Sequence, residues 1–196
     1  MGFFKKLFSA RRAVIFAMEE QERQLLALAA LPPEQLVQVE DARLCEVLSF
    51  LNDRKLAAMA GEPHKRKGTP ADWSRLLSAP ARDYYLLDLY ALHMEEGGFC
   101  EVLTADERAC AWELPGLLQK IGAEAHAALT ERFFADHAID PHDLSSFAIG
   151  RTLEDDYAAQ EARYPYADYN RAYAELEPLL PLLAAFGRAH LEAFLE

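Results

Sequence analysis

The chain has 196 residues, 52% of them hydrophobic, and a formal net charge of −12. That length suits one ordinary domain with an appendage, and that apolar fraction can build a core without disulfides or structural metals. Cys45, Cys100 and Cys110 are an odd number with no C-x-x-C pair, which argues against a disulfide framework or a zinc knuckle and for a reducing, cytoplasmic compartment. Free cysteines of this kind are commonly small buried hydrophobes. The charge is uneven: residues 1–70 hold 11 Lys and Arg against 9 Asp and Glu (+2), and residues 71–196 hold 9 against 23 (−14). Binding a polyanion needs clustered Lys and Arg, so so acidic a body is expected to repel nucleic acid and to favour a basic partner.

Residues 3–30 read as one helix, with Phe4, Leu7, Val14, Met18, Leu25 and Leu28 near a heptad spacing that Arg11 and Gln21 interrupt. Arg11 and Arg12 cut the N-terminal apolar run short of a signal peptide, and Lys6 stands where N-myristoylation favours Ser or Thr. No stretch approaches the roughly 18 apolar residues of a membrane span, so stable insertion is not expected. Lys5, Lys6, Arg11 and Arg12 beside Phe3, Phe4, Leu7 and Phe8 suit either contact with an anionic membrane surface or packing on the main body. Pro32-Pro33 ends this helix, and Pro33 suits the first turn of a second one running to about Ala60 through Leu36, Val39, Leu44, Val47, Leu48 and Leu51. The expected organisation is an N-terminal helical hairpin over 1–60, a linker over 61–70 rich in breakers, and an acidic helical domain over 71–196. The Lys65-Arg66-Lys67 run in the linker is too short for a nucleic-acid patch.

Residues 81–94 are the centre of the pattern, long enough for about four helical turns. Tyr84, Leu87, Ala91 and Met94 fall on one face, and Leu86, Leu89 and Tyr90 widen it until only Asp83, Asp88 and His93 are left for water. A helix apolar over most of its circumference is the buried one that others pack around. Gly97-Gly98 offers the left-handed conformation that ends a helix, and Phe99 restarts the apolar pattern.

Thr104 and Glu107 have capping-box spacing, and the helix they would open must kink or restart at Pro115. A helix over 123–138 presents Ala127, Leu129, Phe133 and Phe134. Asp140-Pro141 resembles an N-cap with proline at the first position, opening a turn to Phe147. Thr152 with Asp155 would cap another helix, Tyr164-Pro165-Tyr166 breaks the chain, and one or two helices follow, with Pro178 and Pro181 near their junction. Sustained alternation and hairpin turns are missing, so the expected fold class is all-α, a multi-helix bundle around the helix at 81–94.

Signatures of catalysis are sparse: there is no G-x-S-x-G, phosphate-binding G-x-x-x-x-G-K, H-E-x-x-H or G-x-G-x-x-G. The residue types of Asp136, His137, Asp140, His142 and Asp143 suit a divalent cation, but their spacing straddles a proline turn and matches no ligand pattern. Glu124 and Glu131 lie a heptad apart, where surface exposure is the ordinary fate of a carboxylate. Three stretches contain acid and no Lys or Arg: 95–107 with Glu95, Glu96, Glu101, Asp106 and Glu107; 136–150 with Asp136, Asp140 and Asp143; and 152–162 with Glu154, Asp155, Asp156 and Glu161. Solvated helices usually mix signs to gain i,i+4 pairs, as Asp168, Arg171 and Glu175 do here. Helix dipoles account for Asp106, Glu107 and Asp155, each worth about 0.3–1 kcal/mol. The remaining acid suits a surface that meets a basic partner.

Tyr84-Tyr85 through Gly97-Gly98-Phe99, followed by Leu117-Leu118-Gln119-Lys120-Ile121-Gly122-Ala123, resembles a helical domain family of unknown function typified by a DNA-mimic protein. The likeness covers about residues 80–195 and leaves the N-terminal hairpin outside it. That family carries Asn-Gly-Gly-Phe followed by Gln, and a later Leu-x-x-Ile-Gly-Ala; here Glu96 replaces the Asn and Glu101 falls at the Gln. What the resemblance implies is a bundle whose carboxylates imitate phosphates and occupy the DNA site of a transcription factor or similar basic protein. The expected function is therefore non-enzymatic binding of a basic protein through Glu95, Glu96, Glu101, Glu154, Asp155, Asp156 and Glu161, with Gly97, Gly98 and Phe99 as a structural motif and no cofactor or metal. Two alternatives stand beside it: an immunity or adaptor protein using an apolar groove, and a metal-dependent enzyme using the 136–143 region. Homodimerisation is left open.

Overall fold

The computed structural model describes residues 19–61, 68–149 and 153–195, with the side chains of Pro70 and of 153–155 left aside. The expectations for residues 3–18, for the Lys65-Arg66-Lys67 run and for the Thr152–Asp155 cap lie outside the described residues. Among the described residues the fold is all-helical, a multi-helix bundle without strands. The elements are α1 (19–29), α2 (Pro33–Leu36), α3 (Asp41–Ala60), α4 (Pro70–Ser74), α5 (Ala79–Glu96) and α6 (Gly98–Thr104). A 3-10 helix at Asp106–Glu113 leads into α7 (Leu114–Lys120) and α8 (Glu124–Asp136). After a short 3-10 turn at Ser145–Phe147 come α9 (Leu153–Glu161), α10 (Tyr166–Ala174), α11 (Leu180–Ala189) and α12 (Glu192–Leu195).

Helix α5 is the centre of packing, in contact with α3, α4, α6, α7, α11, α12 and the 3-10 helix at Asp106–Glu113. Its Tyr84 is fully buried, meets Phe194 edge-on at a centroid distance of 5.2 Å and donates its hydroxyl to the Cys45 carbonyl at 3.3 Å. Asn52 of α3 donates to the Ala81 carbonyl at 3.0 Å. Helix α11 comes very close at Gly187, where a Cβ would stand 2.2 Å from Leu48 Cδ1. Leu48 itself is fully buried, so it has little room to retreat.

Several sequence expectations are corrected. Asp83, Asp88 and His93 are not left for water. Asp83 is buried and takes the Lys120 ammonium at 2.5 Å, Asp88 accepts from the Ser49 hydroxyl at 2.7 Å, and His93 Nε2 lies 3.2 Å from Glu107. Elements pack around most of α5, so its polar stripe becomes a set of struts to α7, α3 and the 3-10 helix, while the large hydrophobic Leu92 is left exposed. The second helix is broken: α2 ends at Leu36, and α3 restarts behind Glu40, whose carboxylate accepts from the amides of Ala42 and Arg43. Thr104 caps nothing; its hydroxyl donates back to the Cys100 carbonyl at 2.9 Å. The capping box of this region is Thr69 with Asp72, at the start of α4. Gly97 ends α5 with φ −140°, and the left-handed residue is Gly98, φ +66°.

The restart at Pro115, the apolar face of α8 and the Tyr164-Pro165-Tyr166 break appear as the sequence predicts, whereas the C-terminal segment, expected as one or two helices, forms three, α10, α11 and α12. The three cysteines are free and buried.

Two stability predictions follow from the packing around α5. Replacing Gly187 with Ala should destabilise the fold by about 1–3 kcal/mol in urea titration. Gly116→Ala, with nothing within 4 Å of the added carbon, should instead gain about 0.5–1 kcal/mol as a helix substitution. Equal effects at the two glycines would contradict the close approach at Gly187. Burial, with help from Asp53 and Glu95 and against the Ser49 hydrogen bond, raises the Asp88 carboxyl from an ordinary 3.8 to about 6. A raised acid contributes stability below its unfolded value and loses it as pH rises through the folded one. Asp88→Asn should therefore be more stable than the parent at about pH 7.5, by roughly 1–3 kcal/mol, and the gap should close by about pH 4. A gap that stays constant with pH would refute this.

Candidate acidic site at the α5–α6 junction

The junction is built from Gly97, Gly98 and Phe99. The Phe99 amide donates to Asn170 Oδ1 of α10 at 3.0 Å. The Asn170 amide lies so close over Gly98 that a Cβ there would fall 2.1 Å from its Nδ2, in a backbone conformation that L side chains avoid. Gly97 is crowded as well: a Cβ would meet the Tyr157 hydroxyl of α9 at 2.7 Å and Glu101 Cβ at 2.8 Å. Phe99 then enters a second aromatic core, stacked on Phe133 at 4.7 Å with Tyr169 edge-on at 6.1 Å. The glycine pair is thus a seat for two side chains from distant helices as well as a helix stop.

This seat fixes where the carboxylates go. Glu95 and Glu96 are exposed at the last turn of α5, and Glu101 lies half-buried on α6. Helix α9 packs on α6, and the Tyr157 hydroxyl hydrogen-bonds Glu101. Burial first, then Cys100 and Glu101, raises the Tyr157 phenol, so it remains a donor. Glu161 is exposed at the end of α9, and Asp156 is half-buried on the same helix. Glu154 and Asp155 occupy α9 positions whose side chains lie outside the described residues. Among the described residues, Glu95, Glu96, Glu101 and Glu161 have no Lys or Arg within ion-pair distance. By contrast Glu107 is held by His93, and Asp106 lies 4.0 Å from Arg108.

The 136–143 residues are not gathered into a ligand set. Asp136 accepts from the Tyr169 hydroxyl at 2.6 Å, Asp140 from the His142 amide at 2.9 Å, and Asp143 from the Ser145 hydroxyl at 2.7 Å. His137 packs among Phe133, Tyr164 and Tyr169, and His142 stacks on Trp112. Among the described residues, the group whose ligand atoms all lie within 4.8 Å of one another is His93, Glu96 and Glu101, beside the glycine junction. Burial opposes the charged form of His93, but the Glu107 hydrogen bond and the nearby Glu101 and Glu96 outweigh it and raise its pKa. Glu124 and Glu131 are both exposed.

Cysteine chemistry finds no support in the environment of the thiols. Burial raises all three, Cys100 to about 11, and a protonated thiol is a poor nucleophile. No helix among the described residues is long and apolar enough to cross a membrane.

Sequence reading found the glycine pair and the acid around it but missed Asn170, Tyr157 and His93 as members of one site. Asn170 stands 71 residues from Phe99, and nothing near it in the chain points across that gap.

Residues 75–190 match the family described as DMP19-like protein. No curated protein and no solved structure matches the chain. The match spans more than half of the sequence and contains both the glycine junction and the Leu118–Ala123 segment, so the chain belongs to the DMP19-like protein family.

Proposed function

We propose that this chain is a non-enzymatic, acidic protein-binding module acting as a DNA mimic: it sequesters a basic, DNA-binding protein by offering carboxylates where that protein expects phosphates. The observation that carries the reading is the group Glu95, Glu96, Glu101 and Glu161 on the packed ends of α5, α6 and α9, without a Lys or Arg ion pair among the described residues. Uncompensated like charge works against the compact state. A partner that neutralises it gives such an arrangement a use. Carboxylates on successive helical turns lie about 5–6 Å apart at Cβ, of the order of phosphate spacing along a strand. The net charge of −12 steers a basic protein toward the chain from a distance and makes association sensitive to salt. Glu154, Asp155 and Asp156 extend the proposed surface along α9. The family assignment supports the same direction without fixing the partner.

Capture by the immobilised full chain, with mass-spectrometric identification, tests the reading. Basic DNA-binding proteins should be retained at about 50 mM salt, released by about 500 mM, and displaced by duplex DNA. The Glu95→Lys, Glu96→Lys, Glu161→Lys variant should bind the identified partner at least about tenfold more weakly. Binding indifferent to salt and to charge reversal would overturn mimicry and point to an apolar groove instead.

A further inference from the structure

A cleft on the other side of Glu95, between α5, α8 and the α10–α11 connection, encloses about 410 Å³. That volume falls within the roughly 300–1,000 Å³ of small-molecule sites. Its walls are partly apolar, including Leu92, Leu176 and Leu183, and partly carboxylate, from Asp88, Glu95 and Glu177. Neither Lys nor Arg lines it. Among the described residues, Glu95 and Glu177 have no cationic side chain within ion-pair distance, and Asp88 is bonded only to the Ser49 hydroxyl.

The floor carries a second, independent feature. His126 is only 4% exposed and lines the cleft, with Tyr173 edge-on to its ring at 5.3 Å. Its backbone carbonyl takes the Thr130 hydroxyl, its ring makes no hydrogen bond among the described residues, and the ring nitrogens keep access to the cleft rather than being sealed in the core. Burial lowers the His126 pKa, so the ring is neutral and offers both a lone pair and an N–H.

We propose that this cleft binds an organic cation, an ammonium or guanidinium group on an alkyl chain. Asp88, Glu95 and Glu177 supply the counter-charge, the neutral His126 ring accepts one N–H, and Tyr173 with the leucines covers the chain and the cationic face. An anion finds no positive side chain here, and a purely apolar ligand would leave three carboxylates facing it. The same chemistry has two sources: a free alkylamine or alkylguanidine, or an arginine or lysine side chain of a bound protein. The site stands independently of the mimicry reading, because Asp88, Glu177 and His126 lie outside the acidic surface assigned there and only Glu95 is shared.

Isothermal titration of the full chain with agmatine, spermidine and N-acetylarginine amide tests this, with n-butylurea as the uncharged control and sodium chloride matched in ionic strength. Saturable one-to-one binding of at least one cation is expected, absent for butylurea and weakened at least tenfold in Glu177→Gln and in Asp88→Asn. Agmatine or spermidine binding without the capped arginine identifies a free amine, and comparable binding of the capped arginine identifies a protein side chain. Glu177 is exposed, so its variant keeps the fold and the test decisive. Heat reproduced by sodium chloride or butylurea, cation binding unchanged in both variants, or no saturable cation binding would overturn the proposal.

Discussion

The hydrogen bond from the Phe99 amide to Asn170, with the asparagine pressed over Gly98, is the constraint on which the second half of the molecule turns. It ends α5, starts α6 in a new direction and ties both to α10. Once α6 is set, Phe99 must enter the stack with Phe133, and Glu101 must face Tyr157 on α9. A substituent at either glycine would collide with one of these partners, so the motif is a steric requirement before it is anything else. The acidity around it follows from the same geometry: Glu96 and Glu101 gather beside the junction, while Glu95 turns to the cleft lined by Tyr173 and Glu177.

Three basic residues in the acidic part of the chain, Arg82, Lys120 and Arg188, brace one element against another. Arg82 makes two hydrogen bonds to Glu113 at 2.6 and 2.7 Å, and Lys120 holds the buried Asp83. Arg188 reaches Asp41 at 2.6 Å and the carbonyls of Val37 and Val39, tying α11 to the turn before α3. Those cations are engaged between elements, and Glu95, Glu96 and Glu161 stay exposed without a Lys or Arg ion pair among the described residues. The asymmetry visible in the composition thus becomes a spatial one: paired charge between elements, unpaired acid at the glycine junction. On this contrast rests the proposal of a basic partner, and α3 shares one continuous core with α5 and α11 beneath it.

What the sequence made legible was local. The period of α5, the restart at Pro115, the apolar face of α8 and the break at Tyr164-Pro165-Tyr166 are all written within a few residues of where they act. What escaped was long-range. Asp83, Asp88 and His93 looked solvated because their partners Lys120, Ser49 and Glu107 belong to other elements. Thr104 had the spacing of a cap, yet its hydroxyl found a nearer carbonyl. Gly98 is the left-handed residue the pattern calls for, but that its missing side chain also makes room for Asn170 is not written near it, and His126 carried no signal beyond its place on an apolar face. Periodicity tells which face is buried but not which distant side chain will satisfy a polar group on it.

Amide hydrogen exchange at Phe99, followed by NMR in the full chain and in Asn170→Ala, tests the junction most directly. The Phe99 amide should be protected like those in the middle of α5. In the variant it should exchange ~10-fold faster or more, the loss of one buried hydrogen bond, while α11 keeps its protection. A Phe99 amide that exchanges as freely as in a short peptide, or that is indifferent to the asparagine, would contradict the account.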